Sequence, residues 1–502
     1  MPPSSRHADS GSRQPALSAT FIPAPTLLIV AWGAFAFGAV YSWAYTPLAI
    51  ACALVGLLGL VAGRRPVWTP NRRLLLALMG IGLVGAVQLV PLPISLLTTI
   101  SPGTASFLAN FDLRFSLGAD PTGETATVAL RHAISVAPER TVLFLLLLAA
   151  ALVFFVGLLR TLSRTATLRL ARGIVFIGCV LSIVGVVQKA MLGDHAFGGM
   201  KIYGFWQPDF LLTTPFGPYV NKNHFAGWML MAIPLALGLA RGHAGGESGG
   251  PPDLKFRHVL VWLSEPEGGR MLLYLVAALV MALSLLMTGS RSGLGCFAVV
   301  VCGAAIWTSR RGSTRVVIGA GVGALVLVLI ALQWAGSDAA LERFAHDPES
   351  MSFRLSIWSV SVGMLRHFPL LGTGLDAFGT ATTLYEPSGI DMHYNEAHND
   401  YLQLLVEGGL VTFALVLAAI VSAARAVAVR FRANDDGPHA YWVRVGASAG
   451  LVAIALQSLV EFSLQMPGNA VLFVVLLAMA LHVPAQLRQH HDATATPATS
   501  PP

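Results

Sequence analysis

The stretch TVLFLLLLAAALVFFVGLL, Thr141–Leu159, runs for 19 residues without a charge and is bounded by Arg140 and Arg160. As a helix rising about 1.5 Å per residue it reaches close to 30 Å, the thickness of a hydrocarbon core. A surface helix of a soluble protein would need one polar face. This segment has none, so it reads as a membrane-spanning helix.

The same reading extends along the chain. Further apolar runs of helical length are Thr26–Tyr45, Pro47–Ala62, Leu74–Val90, Gly173–Gln188, Phe225–Ala240, Met271–Thr288, Gly293–Trp307, Val316–Trp334, Leu402–Ala424, Val443–Glu461 and Asn469–Val483. The fold class expected is all-α, a polytopic transmembrane helical bundle of about 12 spans with a large structured periplasmic loop. Composition agrees. Of 502 residues, 55% are hydrophobic and only 11% charged, against roughly 25% charged in a soluble domain. The net charge of +7 does not point to nucleic acid, because the basic residues lie in short segments between apolar runs and build no continuous patch. Cys52, Cys179, Cys296 and Cys302 all sit inside apolar runs without metal-site spacing, and read as small buried residues.

Lysine and arginine set the orientation. With the N-terminus in the cytoplasm, 22 of the 32 fall in inside segments and 10 outside, and the bias alternates loop by loop. The chain then divides into a disordered cytoplasmic N-terminus (1–24), spans one to nine (25–334), a large periplasmic loop (335–401), spans ten to twelve (402–484) and a disordered cytoplasmic tail (485–502). Long non-repetitive loops on one face of a bundle are where function sits. In the largest, Leu355, Trp358, Val362 and Leu365 recur at i, i+3, i+7 and i+10. They predict an amphipathic helix over Ser352–His367, lying on the membrane or on the bundle and ended by Pro369.

Several outside residues can carry chemistry. Arg291, in the turn Thr288-Gly-Ser-Arg-Ser-Gly293, either snorkels to the headgroups or anchors an anion with its planar fork. Arg354 either pairs with Glu349 or another loop acid, or contacts a phosphate. His398 lies beside Asn399 and Asp400 where the loop enters the tenth span. Imidazole, with an unperturbed pKa of about 6.5, can take a proton from an attacking hydroxyl. Asp400, Gln403 and Glu407 then form a polar stripe running into an apolar helix, which argues for a hydrated cleft. Lys222, Asn223 and His224 open the sixth span and are candidates for phosphate or sugar binding, or interfacial caps. Tyr203, Phe205 and Trp206 suit sugar faces and an interfacial belt equally. Glu461, Gln465 and Asn469 carry no assignment. The chain has no Asp-x-Asp pair for a metal-bound nucleotide sugar and no Walker-type loop for ATP.

Four strings, in order and spacing, carry a resemblance: Asn221–Gly227; Ser290-Arg-Ser-Gly293; Arg354 with Trp358, leading to Gly372-Thr-Gly-Leu-Asp-Ala-Phe378; and His398-Asn-Asp-Tyr-Leu-Gln with Glu407-Gly-Gly-Leu410. Over about Asn221–Ala424 the chain resembles the bacterial O-antigen ligase and polysaccharide polymerase family. The resemblance implies a fold similar to class C glycosyltransferases, in a bacterial inner membrane, with a periplasmic cleft for an undecaprenyl-diphosphate-linked oligosaccharide. It implies that Arg291 and Arg354 hold the diphosphate and that His398 activates the acceptor hydroxyl. Lys222, Asn223, His224, Asn399 and Glu407 are further substrate-binding candidates. No cofactor or metal is implied, and the transfer is expected to invert the anomeric centre. Implied partners are an acceptor glycan or lipid A core, membrane lipids, and polysaccharide assembly and export proteins, with no nucleic acid. Ligase, polymerase and protein-glycosylating roles remain open. The alternative class is a secondary transporter or lipid-linked sugar flippase. Against it, the sequence shows no internal repeat, and its polar candidates crowd one face.

Overall fold

The computed structural model describes residues 22–63, 65–113, 115, 131–192, 201–208, 214–244, 265–309, 351–386, 393–433 and 436–483. Helices α1 (Pro23–Phe35), α2 (Ser42–Ala62), α3 (Trp68–Gln88), α6 (Pro138–Thr161), α7 (Arg164–Leu192), α8 (Lys222–His243), α9 (Pro266–Met287), α10 (Arg291–Ser309), α13 (Asp400–Ala433), α14 (Pro438–Gln457) and α15 (Pro467–Leu481) follow the apolar runs. Eight of them are long and apolar enough to cross a membrane, and three shorter apolar helices accompany them. The run Val316–Trp334 lies outside the described residues.

One helix organises the rest. In α8, 89% of the most apolar window is buried, against 28% to 50% in the other seven. It is therefore the axis of the bundle, and the others turn a face outward. Its closest neighbour is α14, where Gly446 and Gly450 let the backbones touch. A Cβ on either would sit 2.5 Å from the Pro234 carbonyl or 2.7 Å from that of Met231. Small residues four apart are a common device for close helix contact in lipid.

The described residues between α3 and α6 and between α10 and α13 build a cap over one end. Leu92–Pro93 (β1) pairs antiparallel with Arg131–His132 (β2). The short helices α4 (Ile94–Ile100) and α5 (Pro102–Phe111) sit beside α11 (Met351–His367) and α12 (Phe378–Thr382). A second apolar core, including Phe107, Ile357, Met364, Phe368 and Phe378, holds them together.

The cap is stitched to the bundle through backbone groups. Gly409, at φ 66°, breaks α13. Around that break the amides of Thr373 and Gly374 donate to the carbonyls of Val406 and Glu407 (both 3.0 Å), and Leu410 N–H donates to Pro369 O (2.9 Å). Gln88, buried at the end of α3, donates to Glu407 O (2.8 Å) and accepts from Leu375 N–H (3.0 Å).

Two expectations are corrected. The run Thr26–Tyr45 is not one helix: α1 stops at Phe35, and a 3₁₀ turn at Phe37–Ala39 carries positive φ at all three residues. Gly38 lies against the Tyr219 ring there, so the break is made of apolar residues that hydropathy cannot distinguish from helix. The helix expected at Ser352–His367 is present as α11, but its buried face is Arg354, Ile357, Ser361 and Met364. Leu355 and Val362 of the expected stripe are 53% and 49% exposed. The face turned inward is the one carrying a cation.

Gly372 has φ 71°, and a Cβ there would meet Glu407 O at 2.2 Å. Gly372→Ala should therefore cost more than the ~1–2 kcal/mol of left-handed backbone alone, read as a lowered Tm in detergent. Gly363, helical with nothing within 4 Å of its Cβ position, is the control: Gly363→Ala should be neutral or stabilise by up to about 1 kcal/mol.

Candidate active site

Four separate stretches meet beneath the cap, around the turn Ser458–Met466 that joins α14 to α15. The turn carries Glu461 and Phe462. Glu461 is fully buried. The Arg354 guanidinium, from the first turns of α11, donates to its Oε1 through Nη2. Ser292, in the first turn of α10, reaches the same oxygen at 3.4 Å. His398 Nδ1 stands 3.7 Å from Oε2. That is ion-pair range but too long for a hydrogen bond, and both atoms otherwise lack a partner. Phe462 lies edge-on to two imidazoles, 4.6 Å from the His224 ring and 4.8 Å from that of His398.

Each element has a local reason to end here. Asn221 caps α8, its Oδ1 accepting from Asn223 N–H at 2.7 Å. Ser290 opens α10, its hydroxyl accepting from Gly293 N–H at 3.2 Å. Asn399 caps α13 through the amides of Tyr401 (3.1 Å) and Leu402 (3.0 Å). The first turns of α8 and α10 carry Lys222 and Arg291 with no acid among them, and Arg354 lies on the buried face of α11. A helix N-terminus is the positive end of its dipole and disfavours a cation. Two such ends, each with an added cation, and the inward-turned Arg354 of α11 each bring a side chain beside Glu461 or Phe462 and make the locus electropositive.

The sequence-derived residues divide accordingly. Arg354 and His398 converge on Glu461. His224 joins them from α8, and its Nε2 is buried without a partner. Arg291 is exposed on the rim, next to Ser292. Lys222 and Asn223 lie in the first turn of α8. Arg354 does have an acidic partner, but it is Glu461 across the bundle; Glu349 lies outside the described residues.

Glu407 faces inward, accepting from the amides of Asp376 (3.0 Å) and Phe378 (3.2 Å). The polar stripe of α13 meets protein partners. Gln403 donates to Glu396 (2.9 Å), Glu407 (3.1 Å) and Gln465 (3.1 Å), and Gln465 in turn donates to Asp400 (3.2 Å). Tyr203 and Trp206 pack against Phe37 and Tyr41 at the turn after α1.

Glu461 is the residue that sequence reasoning left without a role. The signal was present: it is a lone carboxylate ending an apolar run, which is costly without a partner. Burial raises its carboxyl, but His398, the Arg354 guanidinium and the His224 ring outweigh this and hold it below the ordinary glutamate range.

His398 itself has φ 50°. A left-handed non-glycine residue persists only when its surroundings impose it. The flanking contacts are Trp358 Nε1–H to Ala397 O (2.9 Å) and Ala397 N–H to Gln403 (2.8 Å).

Residues 276–417 match the O-antigen ligase family. No curated protein matches the chain. Together with the apolar helices, this match defines a multi-pass membrane protein with glycosyltransferase-like activity. The matched segment holds Arg291, Arg354, His398, Asn399 and Glu407.

Removing Glu461 should leave Arg354 buried and unpaired. Glu461→Ala is expected to cost about 3–5 kcal/mol, and the double variant Arg354→Met/Glu461→Leu to recover much of it; Tm in detergent reads both. A second expectation concerns pH. Burial pushes the Glu396 carboxyl up to about 8, against its hydrogen bond from Gln403. The folded state thus favours the neutral form. Its stabilisation is complete below the ordinary value of 4.5 and is lost as pH rises through about 8. Glu396→Gln should flatten that decline in Tm.

Proposed function

We propose that the protein transfers or polymerises an oligosaccharide from an undecaprenyl-diphosphate donor onto an acceptor hydroxyl, at the periplasmic face of a bacterial inner membrane. The observation that carries this reading is the convergence of Arg354, His398 and His224 on the Glu461–Phe462 turn, with the cation-bearing starts of α8 and α10 beside it. Such a locus is suited to a diphosphate, which arginine forks bind with charge and direction together.

In this reading Arg291, on the rim, and Arg354, within, face the diphosphate, with Lys222, Asn223 and His224 beside them. His398 is the general base. Its Nδ1 faces Glu461, so Nε2 is the nitrogen left for the acceptor. Glu461 is a positioning residue that orients the ring and favours the imidazolium as it forms, as in base–carboxylate pairs generally. The acceptor oxygen bonds to the anomeric carbon and its proton passes to His398. The carbon–oxygen bond to the diphosphate breaks, with its electron pair leaving on the phosphate. Attack opposite the leaving group inverts the centre. The departing charge is stabilised by fixed donors, and the scheme calls on no metal.

His398→Asn is the informative variant, because asparagine tolerates left-handed backbone and keeps the fold. It should reduce transfer by about 10²–10⁴-fold, with lipid-linked donor accumulating, in an assay of purified protein with donor and each acceptor class in turn. Full activity would remove the base assignment. Arg291→Ala should raise KM for the donor while leaving Tm near wild type. An unchanged KM would remove the rim arginine from the donor site.

A further inference from the structure

The opposite end of the axial helix carries a second cluster of donors. His243 ends α8, Glu267 is the second residue of α9 and His439 the second residue of α14. His243 follows His224 by 19 positions, and at a rise of about 1.5 Å each the cluster lies roughly 30 Å from the candidate active site, across the bundle.

Three lone-pair atoms converge there. His243 Nδ1 is 2.6 Å from Glu267 Oε2, His439 Nε2 is 3.2 Å from His243 Nδ1, and His439 Nε2 is 3.7 Å from Glu267 Oε2. Ligands held tetrahedrally at about 2.0–2.1 Å from a zinc ion stand about 3.3–3.4 Å apart. The three separations bracket that value, so small side-chain shifts would seat an ion on all three.

Hydrogen bonding alone serves the arrangement poorly. A proton between His243 and Glu267 satisfies those two atoms and leaves the His439 nitrogen facing two groups already engaged. A cation satisfies all three at once.

The surroundings fit as well. Arg270 Nη1 holds the other Glu267 oxygen at 2.8 Å, which fixes the carboxylate for single-oxygen ligation. The His243 ring, 2% exposed, is stacked on Tyr274 at 5.7 Å. Glu267 and His439 are 36% and 37% exposed, which leaves a fourth position open to water.

We propose that His243, Glu267 and His439 form a binding site for a divalent metal ion of the zinc class, which clamps the ends of α8, α9 and α14 on the face opposite the transferase site. Two imidazoles and one carboxylate favour such an ion over Mg²⁺, which takes oxygen ligands. Binding displaces the shared proton.

The test uses full-length protein in detergent, without a polyhistidine tag, stripped with chelator and titrated with Zn²⁺ alone by calorimetry, with elemental analysis of the product. One equivalent should bind, Co²⁺ should acquire visible ligand-field absorption, and Zn²⁺ should raise Tm. His439→Ala, a partly exposed position with little folding risk, and Glu267→Gln should each weaken binding at least about tenfold and abolish the Tm rise. Arg270→Ala should cost about tenfold, as loss of an outer-shell partner does. Replacing His490 and His491, the adjacent pair near the C-terminus, should change nothing. Absence of Zn²⁺ binding, unaltered binding in His439→Ala, or loss only with the His490/His491 pair would each overturn the proposal. If Glu267→Gln fails to fold, His439→Ala alone decides.

Discussion

A carboxylate with no exposed surface, at the end of a membrane bundle, is the constraint on which the rest of the architecture turns. Taking an ion out of water costs several kcal/mol even after relaxation, unless a counter-charge meets it. Glu461 belongs to the bundle, in the turn between α14 and α15, and its counter-charge belongs to the cap, on α11. Neither half can bury its ion alone. The pair therefore sets where the cap docks as well as helping to hold it there, and it explains why α11 turns Arg354 inward while Leu355 and Val362 stay outside.

Docking by one ion pair would leave the cap free to pivot. The glycine contacts remove that freedom. Gly372 and Gly409 each let two backbones approach more closely than any side chain permits, and the amides and carbonyls around them are mutually satisfied. The polar network of Gln403 with Glu396, Glu407 and Gln465 adds a second set of bonds across the same seam. The left-handed backbone at His398 and Asp376 is sustained by this framework. The imidazole is thus presented by rigid surroundings on both sides, as a group that must meet a substrate atom within a fraction of an ångström requires.

Sequence reasoning recovered the helices because hydropathy reports segments that exclude water. It could not tell exclusion by lipid from exclusion by protein, and α8 reads like the other long helices although it is buried on nearly every side. The same blindness hid the turn at Phe37–Ala39. Hydropathy also could not show that the stripe Asp400, Gln403 and Glu407 finds protein partners far away in the chain. Arg291, Arg354 and His398 were legible because a cation or imidazole at the end of an apolar run has few structural reasons to be there. Glu461 met the same criterion, but it sits 107 residues from Arg354. Periodicity and local spacing carry no information across that separation.

The two arginines are not equivalent, and this bears on how a diphosphate would be held. The charge of Arg354 is already offset by Glu461, so the pair presents to a ligand a directed set of donors more than a net positive charge. Nε of Arg354 is buried without a partner, and it gives the guanidinium unused donor capacity in a fixed plane. Arg291 is exposed at the positive end of α10, where the helix dipole opposes it. In the proposed scheme Arg354 supplies geometry and the exposed Arg291 supplies charge. A site built this way can admit a charged lipid headgroup from the membrane surface and then orient it, without the cost of burying an uncompensated cation while it waits.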